Sequence, residues 1–308
     1  MQRLEFRAMG CQMLAAIDAE SRAAGRLLAG VPGWFADWEQ RLSRFRTDSE
    51  LSLLNRSAGN PVQVSAVLWE VVQAALAAAR ASGGLVDPTL LGALEAAGYD
   101  RTFEEVAAEA GPDPMPARAP VPASGLSAIV CDESTRTVAL RQDARLDLGG
   151  IAKGWAADTA ARRLGVAGPA LVDAGGDIAL SGPPAGQGGW PIGVADPHDT
   201  GGQIALLVVP EGGVATSGRD YRRWQRGGAS FHHILDPRTG RPAETDILAA
   251  TVVAPTALEA ETAAKVALIL GSREGAAWLE ARPRLAGLLV DCDGRTVWTR
   301  RMKRYLWS

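Results

Sequence analysis

Two adjacent histidines stand in a polar stretch of the chain that runs from Phe231 to Gly240. His233 precedes Asp236 by three residues, and a histidine in such a loop could act as a general base toward a hydroxyl group. The same spacing also fits a buried imidazole that ties down the Asp236 loop. Spacing alone favours neither interpretation.

Two glycine turns next to charged residues are candidates for binding an anion. The first runs from Asp147 through Gly149 and Gly150 to Lys153, and it reads as a strand that ends just before a helix. Such a turn brings backbone amides and a helix N-terminus close to a ligand, although an ordinary glycine-rich turn fits as well. The second turn, from Asp173 to Asp177, is by itself more typical of an Asp-rich turn than of a site.

A predicted helix over 257–270 carries a further charged pair. Thr256 and Glu259 have the spacing of a capping box, and Gly271 stands where a helix commonly ends in a left-handed residue. Glu261 and Lys265 are four residues apart and therefore share one helix face. On spacing alone, such a pair is typical of a solvent-exposed ion pair.

The helices and strands predicted around these groups indicate an α+β fold with a mixed, largely antiparallel sheet and flanking helices. A helix is expected over about 65–80 and another after Lys153, while short strands outnumber helices in the second half of the chain. The predicted strands are 127–131, 137–140, 170–172, 178–180, 192–194, 204–209, 249–253 and 286–290. The segment 111–124 has five prolines in fourteen residues and is expected to be a surface connection and a candidate seam between two lobes.

Composition excludes several classes of protein. The chain has 308 residues, a net charge of −3 and 47% hydrophobic residues, which argues against disorder and against generic nucleic-acid binding. No apolar run is long enough to span a membrane. Arg3, Glu5 and Arg7 are charged residues where a signal peptide would have its apolar run, so a cytoplasmic location is expected. The three cysteines form no C-x-x-C pair and predict neither a disulfide framework nor a zinc site.

Taken in order, the segments resemble the FAD:protein FMN transferase family, the ApbE type. Any one of these motifs is weak, whereas many in one order are specific. The matching segments are Ala8-Met9-Gly10; Leu42 to Phe45, Ser49 to Leu51 and Leu54-Asn55; Val86 to Thr89; Asp147 to Gly154; Gly175 to Asp177; Thr216 to Gly218; His233 to Gly240; and the 256–271 helix.

The resemblance implies a single ApbE-like domain over 1–308, with the two-lobed, T-fold-related architecture of that family. It also implies that the chain binds FAD, transfers its FMN half onto a threonine hydroxyl of a target flavoprotein, and releases AMP with the help of magnesium. The residues that would bind the flavin nucleotide are Met9, Phe45, Leu85, Val86, Asp87, Asp147, Lys153, Thr216, Ser217 and Leu235. His233 would assist deprotonation of the incoming threonine.

The expected metal site departs from the family pattern. Its ligands would be the Gly150 carbonyl, Glu261 and a third group at position 265, where the family usually has threonine and this chain has lysine. A protonated lysine cannot ligate a divalent ion. Either the Lys265 ammonium takes the place of the cation and acts in catalysis, or it turns toward Glu261 and magnesium binds loosely through fewer ligands.

Two other functions stay open on these residues. Water in place of threonine would give a pyrophosphatase that converts FAD to FMN and AMP, and loss of the metal site would give a non-catalytic FAD-binding protein. A Rossmann dehydrogenase is disfavoured because no G-x-G-x-x-G follows an early strand. Zinc hydrolysis is disfavoured because no H-E-x-x-H is present.

Overall fold

The computed structural model describes residues 1–57, 59–108, 119–141 and 143–307. The α-helices are α1 Arg22–Leu42, α2 Glu50–Asn55, α3 Ala66–Ala81, α4 Leu91–Ala96, α5 Phe103–Ala108, α6 Ala152–Gly165 and α7 Ala257–Glu280, with short 3₁₀ turns at Leu126–Ala128 and Met302–Tyr305. The strands are β1 Gln2–Ala8, β2 Cys11–Ile17, β3 Val62–Gln63, β4 Ile129–Asp132, β5 Thr137–Leu140, β6 Ala170–Ala174, β7 Asp177–Ser181, β8 Trp190–Ala195, β9 Gln203–Val209, β10 Gly212–Gly218, β11 Arg223–Arg226, β12 Ala229–His232, β13 Leu235–Asp236, β14 Arg241–Pro242, β15 Ile247–Ala254, β16 Ala286–Asp291 and β17 Thr296–Trp298.

The chain divides into two units, and each unit is made of segments that are separated in sequence. Unit 1 comprises Met1–Asp37, Lys153–Gly218 and Thr245–Ser308, and unit 2 comprises Trp38–Ala152 and Arg219–Glu244. Residues 111–118 of the proline-rich segment lie outside the described residues, and 119–124 are irregular backbone within unit 2. No boundary between the two units therefore falls within residues 119–124.

Unit 1 is built on one eight-stranded antiparallel sheet, in the order β1-β2-β6-β7-β10-β15-β16-β17. The hairpin of β8 and β9 covers one face, where Trp190 and Leu207 pack against Val214 and Leu288. Helix α7 packs against β7, β10, β15 and β16. Burial of apolar side chains from both faces holds these three layers together.

Local sequence explains where the main helices begin. Ser65 accepts a hydrogen bond from the Leu68 backbone N–H at 3.2 Å, and Thr256 accepts one from Glu259 at 3.1 Å, as expected for N-caps. The described residues contain no helix that is long and apolar enough to cross a membrane.

Helix α7 breaks at Gly271, where φ is 83° and ψ is 176°. This conformation is essentially restricted to glycine. The carboxylate of Asp246 accepts a hydrogen bond from the Ser272 N–H at 2.9 Å and so caps the segment that follows. The predicted helix over 257–270 therefore ends where expected, and a second helical segment continues from it.

We expect Gly271→Ala to lower the free energy of unfolding by about 1–3 kcal/mol. The added Cβ would lie 2.9 Å from Asp246 Oδ1, in addition to the backbone strain. Gly33→Ala is the matched control, because Gly33 lies inside α1 with no atom near the added methyl group. There the change should stabilise by about 0.5–1 kcal/mol, and urea unfolding measures both. Equal effects of the two substitutions would contradict the argument.

Unit 2 contains α2 to α5, a three-stranded sheet in the order β3-β5-β4 and the two hairpins β11–β12 and β13–β14. Tyr99, Trp224 and Leu235 lie in its apolar cluster, together with Val106 and Leu94. The indole Nε1 of Trp224 donates a hydrogen bond to the Ala97 carbonyl at 2.8 Å. This contact joins β11 to the segment that follows α4.

Candidate functional site

Four charged side chains form a buried cluster within unit 1. Lys153 stands in the first turn of α6, Asp177 begins β7, and Glu261 and Lys265 lie on α7. The Lys153 ammonium forms an ion pair with Asp177, and its Nζ lies 3.8 Å from Glu261 Oε1. The Lys265 Nζ is 3.0 Å from the same oxygen. Two ammonium groups and two carboxylates therefore balance one another.

Burial makes the Glu261–Lys265 pair different from a surface ion pair. The side chain of Glu261 is only 3% exposed and that of Lys265 is 19% exposed. The interpretation as a solvent-exposed pair, which spacing alone favours, is therefore wrong. A buried carboxylate must be compensated by charge or hydrogen bonds, and here both are present.

The charges of the cluster shift one another's titration. Burial lowers the pKa of Lys153, but the carboxylates of Asp177 and Glu261 raise that pKa by more. Burial and the Glu261 carboxylate raise the pKa of Asp177 to about 6 against the opposing effect of Lys153. Although burial acts to raise it, the pKa of Glu261 is held below its usual range by Lys265 and Lys153. Lys153 thus stays charged at neutral pH.

Helices α6 and α7 are fastened together next to this cluster. The Asp158 carboxylate accepts hydrogen bonds from the Ala257 and Leu258 N–H groups at 2.8 and 3.0 Å, and so caps α7 from α6. The Gly154 N–H donates to Glu261 Oε2 at 3.1 Å. A Cβ at Gly154 would lie 2.8 Å from the Leu258 Cα, so the close approach of the helices requires glycine.

Thr216 and Ser217 lie on opposite faces of the sheet, because neighbouring strand residues alternate. Ser217 is 8% exposed and shares its face with Asp177, which pairs across from Ala215. Thr216 is exposed on the face of Val214, and its hydroxyl lies 2.9 Å from that of Thr251. Only Ser217 of the two therefore faces the side of the charged cluster.

Met9 lies in the two-residue turn that joins β1 to β2. Its φ is 49° and that of Gly10 is 69°, as a tight primed hairpin turn requires. A positive φ is unusual for methionine, and here the tight turn imposes it. Met9, Lys153, Ser217, Glu261 and Lys265 all belong to unit 1.

In unit 2, an arginine links two of the predicted flavin-binding residues. The Arg44 guanidinium lies 4.1 Å from the ring centroid of Phe45 and 4.6 Å from that of Tyr99. Its Nε forms an ion pair of 2.5 Å with Asp147, and its side chain is only 6% exposed. Phe45 is 39% exposed as a residue, so it can offer ring surface for stacking on a planar ligand.

The segment Leu85 to Asp87 follows the end of α3 and is held by local hydrogen bonds. The Val86 N–H donates to the Ser82 hydroxyl at 3.0 Å. Asp87 Oδ1 accepts from both the N–H and the hydroxyl of Thr89, at 2.8 and 2.7 Å. The Asp147 N–H donates to the Pro88 carbonyl at 2.8 Å, which brings Asp147 to the same segment.

The two adjacent histidines at the end of β12 have different environments. His232 is buried, its Nε2 lies 3.3 Å from the Ala243 carbonyl, and burial lowers the pKa of its imidazole to about 4. His233 is half-buried, and its backbone N–H donates a hydrogen bond to the Arg222 carbonyl at 3.3 Å. His232 is thus the more deeply buried imidazole of the pair. Leu235 beside them packs in the apolar cluster.

The residues around Glu261 do not fit a magnesium ion. Lys265 and Lys153 face one carboxylate oxygen and the Gly154 N–H occupies the other. Among the described residues, no three acidic, histidine or cysteine side chains are grouped so that they could hold a metal. Gly150, the other expected ligand, belongs to unit 2. Magnesium prefers several oxygen ligands and water, whereas ammonium groups surround this carboxylate.

Asp177 and Arg44 are the site residues that sequence reasoning missed as functional candidates. Each lies in a segment that the motifs mark, but neither shows its partner in sequence, because Lys153 is 24 residues from Asp177 and Asp147 is more than a hundred from Arg44. A charged residue whose neighbours in sequence leave its charge uncompensated is the signal that could have found them.

The model of the ApbE family matches residues 9–289 of this chain. An FAD:protein FMN transferase of Treponema pallidum is 36% identical over 83% of this chain and 75% of its own length. The chain belongs to the ApbE family. A second relative with the same description, from Salmonella typhimurium, is 28% identical over 95% of this chain and 85% of its own length.

Solved structures of ApbE proteins share the fold. The ApbE protein of Thermotoga maritima has a TM-score of 0.84 and 24% identity, covering 100% of this chain and 99% of that one. The flavin transferase ApbE of Vibrio cholerae has a TM-score of 0.77 and 24% identity, covering 99% of both chains. The expected α+β fold with a largely antiparallel sheet, as in ApbE structures, is confirmed.

Proposed function

We propose that this chain is an FAD:protein FMN transferase that moves the FMN moiety of FAD onto a threonine hydroxyl of a target flavoprotein and releases AMP. The observation that carries the proposal is its membership of the ApbE family over nearly the whole chain, with relatives described as FAD:protein FMN transferases. The polar groups described above are of the types that such a reaction needs.

The flavin half of FAD is assigned to unit 2. The partly exposed Phe45 ring, held by Arg44, offers a stacking surface for the isoalloxazine. Leu85, Val86 and Leu235 add apolar surface, while Asp87 and Asp147 add acceptors. Met9 is also expected to bind the flavin nucleotide.

The diphosphate is assigned to the basic groups of unit 1. The side chains of Lys153 and Lys265 are partly exposed, and the Ser217 hydroxyl lies on the same side of the sheet as their cluster. Fixed positive charge of this kind stabilises negative charge that builds on phosphate oxygens in the transition state. The Thr216 hydroxyl, also expected to bind the nucleotide, lies on the other face.

The transfer step exchanges the phosphoanhydride bond of the FAD diphosphate for a phosphoester bond to threonine. The acceptor threonine Oγ attacks the phosphorus of the FMN half, the bond from that phosphorus to the bridging oxygen breaks, and AMP leaves with that oxygen. His233 takes the threonine proton as general base. The product is a threonyl phosphoester of FMN, and no redox change of the flavin is needed.

The test is incubation of the protein with FAD, with and without a threonine-containing acceptor polypeptide. Flavin fluorescence that migrates with the denatured acceptor supports the transferase. Free FMN and AMP without an acceptor would instead establish a pyrophosphatase. Intact FAD that stays bound after long incubation would establish a non-catalytic binding protein.

A further inference from the structure

We propose that the Lys265 ammonium, held in place by Glu261, supplies the fixed positive charge at the diphosphate of FAD, so that transfer requires no divalent cation. This inference rests on the proposed transferase function. It concerns the one place where the charges of this chain disagree with the magnesium site that its family membership implies.

The first argument is the occupancy of the Glu261 carboxylate. Its Oε1 faces Lys265 Nζ at 3.0 Å and Lys153 Nζ at 3.8 Å, and its Oε2 accepts the Gly154 N–H at 3.1 Å. A dication could bind there only by displacing one of these donors and by lying next to two ammonium groups. The positive charge that a metal would bring is thus already present.

The second argument is the order of the charges from inside to outside. The carboxylate side chains of Glu261 and Asp177 are 3% and 5% exposed, whereas those of Lys265 and Lys153 are 19% and 16% exposed. The lysines are therefore the members of the cluster whose side chains are most open to a ligand. Such a surface binds an anion and repels a cation.

The third argument is the choice of residue. The chain has 29 arginines but only three lysines, namely Lys153, Lys265 and Lys303, and two of the three lie in this cluster. Lysine ends in a compact point charge with three donors, which resembles a small metal ion more closely than the planar arginine fork does. The preference for arginine elsewhere in the chain makes lysine at this place a specific choice.

The first experiment measures FMN transfer to the acceptor polypeptide in EDTA and in magnesium. We expect the wild-type rate to be the same in both. Lys265→Met should lower the rate in EDTA by about 100-fold or more, as removal of a preorganised electrostatic group does. Lys303→Met, which removes an exposed lysine, is the control and should not change the rate.

Lys265→Thr is the variant that separates charge replacement from a packing role. It removes the ammonium and adds a hydroxyl oxygen beside Glu261, so we expect its activity to be low in EDTA and to rise with magnesium. Wild-type protein that is inactive in EDTA and restored by magnesium would overturn the proposal. So would Lys265→Met protein that keeps the wild-type rate in EDTA.

A metal titration decides the question without turnover. Mn²⁺ is added to the FAD-loaded protein and the free ion is followed by its paramagnetic resonance signal, with free FAD at the same concentration as reference. We expect wild-type protein to take up no more Mn²⁺ than the reference and Lys265→Thr to gain a site. Tight stoichiometric uptake by the wild type overturns the proposal. If the protein binds FAD but transfers no FMN, the proposed transferase function is wrong. The Mn²⁺ titration still tests whether this cluster excludes a cation.

Discussion

Replacement of Lys153 by methionine is expected to lower the free energy of unfolding by about 3–5 kcal/mol, the usual cost of breaking a buried ion pair from one side. Lys153 forms an ion pair with Asp177 and lies 3.8 Å from Glu261 Oε1, and all three side chains are largely buried. Without the ammonium, Asp177 would be left with its charge in a low-dielectric environment. Methionine has a similar length and is apolar, so lost volume contributes little.

Urea unfolding followed by tryptophan fluorescence measures this loss. Lys303→Met is the matched control, since the same substitution at an exposed lysine should change stability by less than about 0.5 kcal/mol. The double variant Lys153→Met/Asp177→Asn should recover part of the lost stability because it removes the uncompensated carboxylate. A loss below about 1 kcal/mol in the single variant would contradict a structural role for this ion pair.

Replacement of His233 by alanine is expected to lower the rate of FMN transfer by about 10²–10⁴-fold, the usual contribution of a general base. The affinity for FAD should be retained, because the flavin-stacking ring of Phe45 and the lysines of unit 1 are unchanged. Added imidazole should restore part of the rate, which a purely structural histidine would not allow. The rate of transfer is followed as flavin bound covalently to the acceptor.

His198→Ala serves as the control for the loss of an imidazole, since His198 is exposed and lies in unit 1 between β8 and β9. Its effect on transfer should be negligible. His232→Ala should instead lower stability, because that imidazole is buried against the Ala243 carbonyl. An unchanged transfer rate in the His233 variant would exclude it as the base.

The family and the elements with strong local signals could be predicted from sequence. Ser65 and Thr256 mark their helices because a cap depends only on residues three positions away. The family assignment also succeeded because it used many short segments in order rather than any single motif.

Elements that depend on distant partners could not be predicted in the same way. Strand β10 contains three glycines and is held by pairing with β7 and β15, which are far from it in sequence. The burial of Glu261 is likewise invisible in a four-residue spacing, because it arises where α6 and the sheet cover α7. The opposite orientations of Thr216 and Ser217 could be predicted only once this segment was known to be a strand.

The strand order of unit 1 has a consequence for how the chain is made. Strand β2 pairs with β6, which follows about 150 residues later, and β15 pairs with β10 only after the second segment of unit 2 has been synthesised. During translation the β2 edge of the early hairpin therefore stays unpaired until β6 has been synthesised. In that time the edge is open to association with other nascent chains. The closing of such distant pairings is slow, so we expect this protein to acquire its native state late and to benefit from chaperones during synthesis.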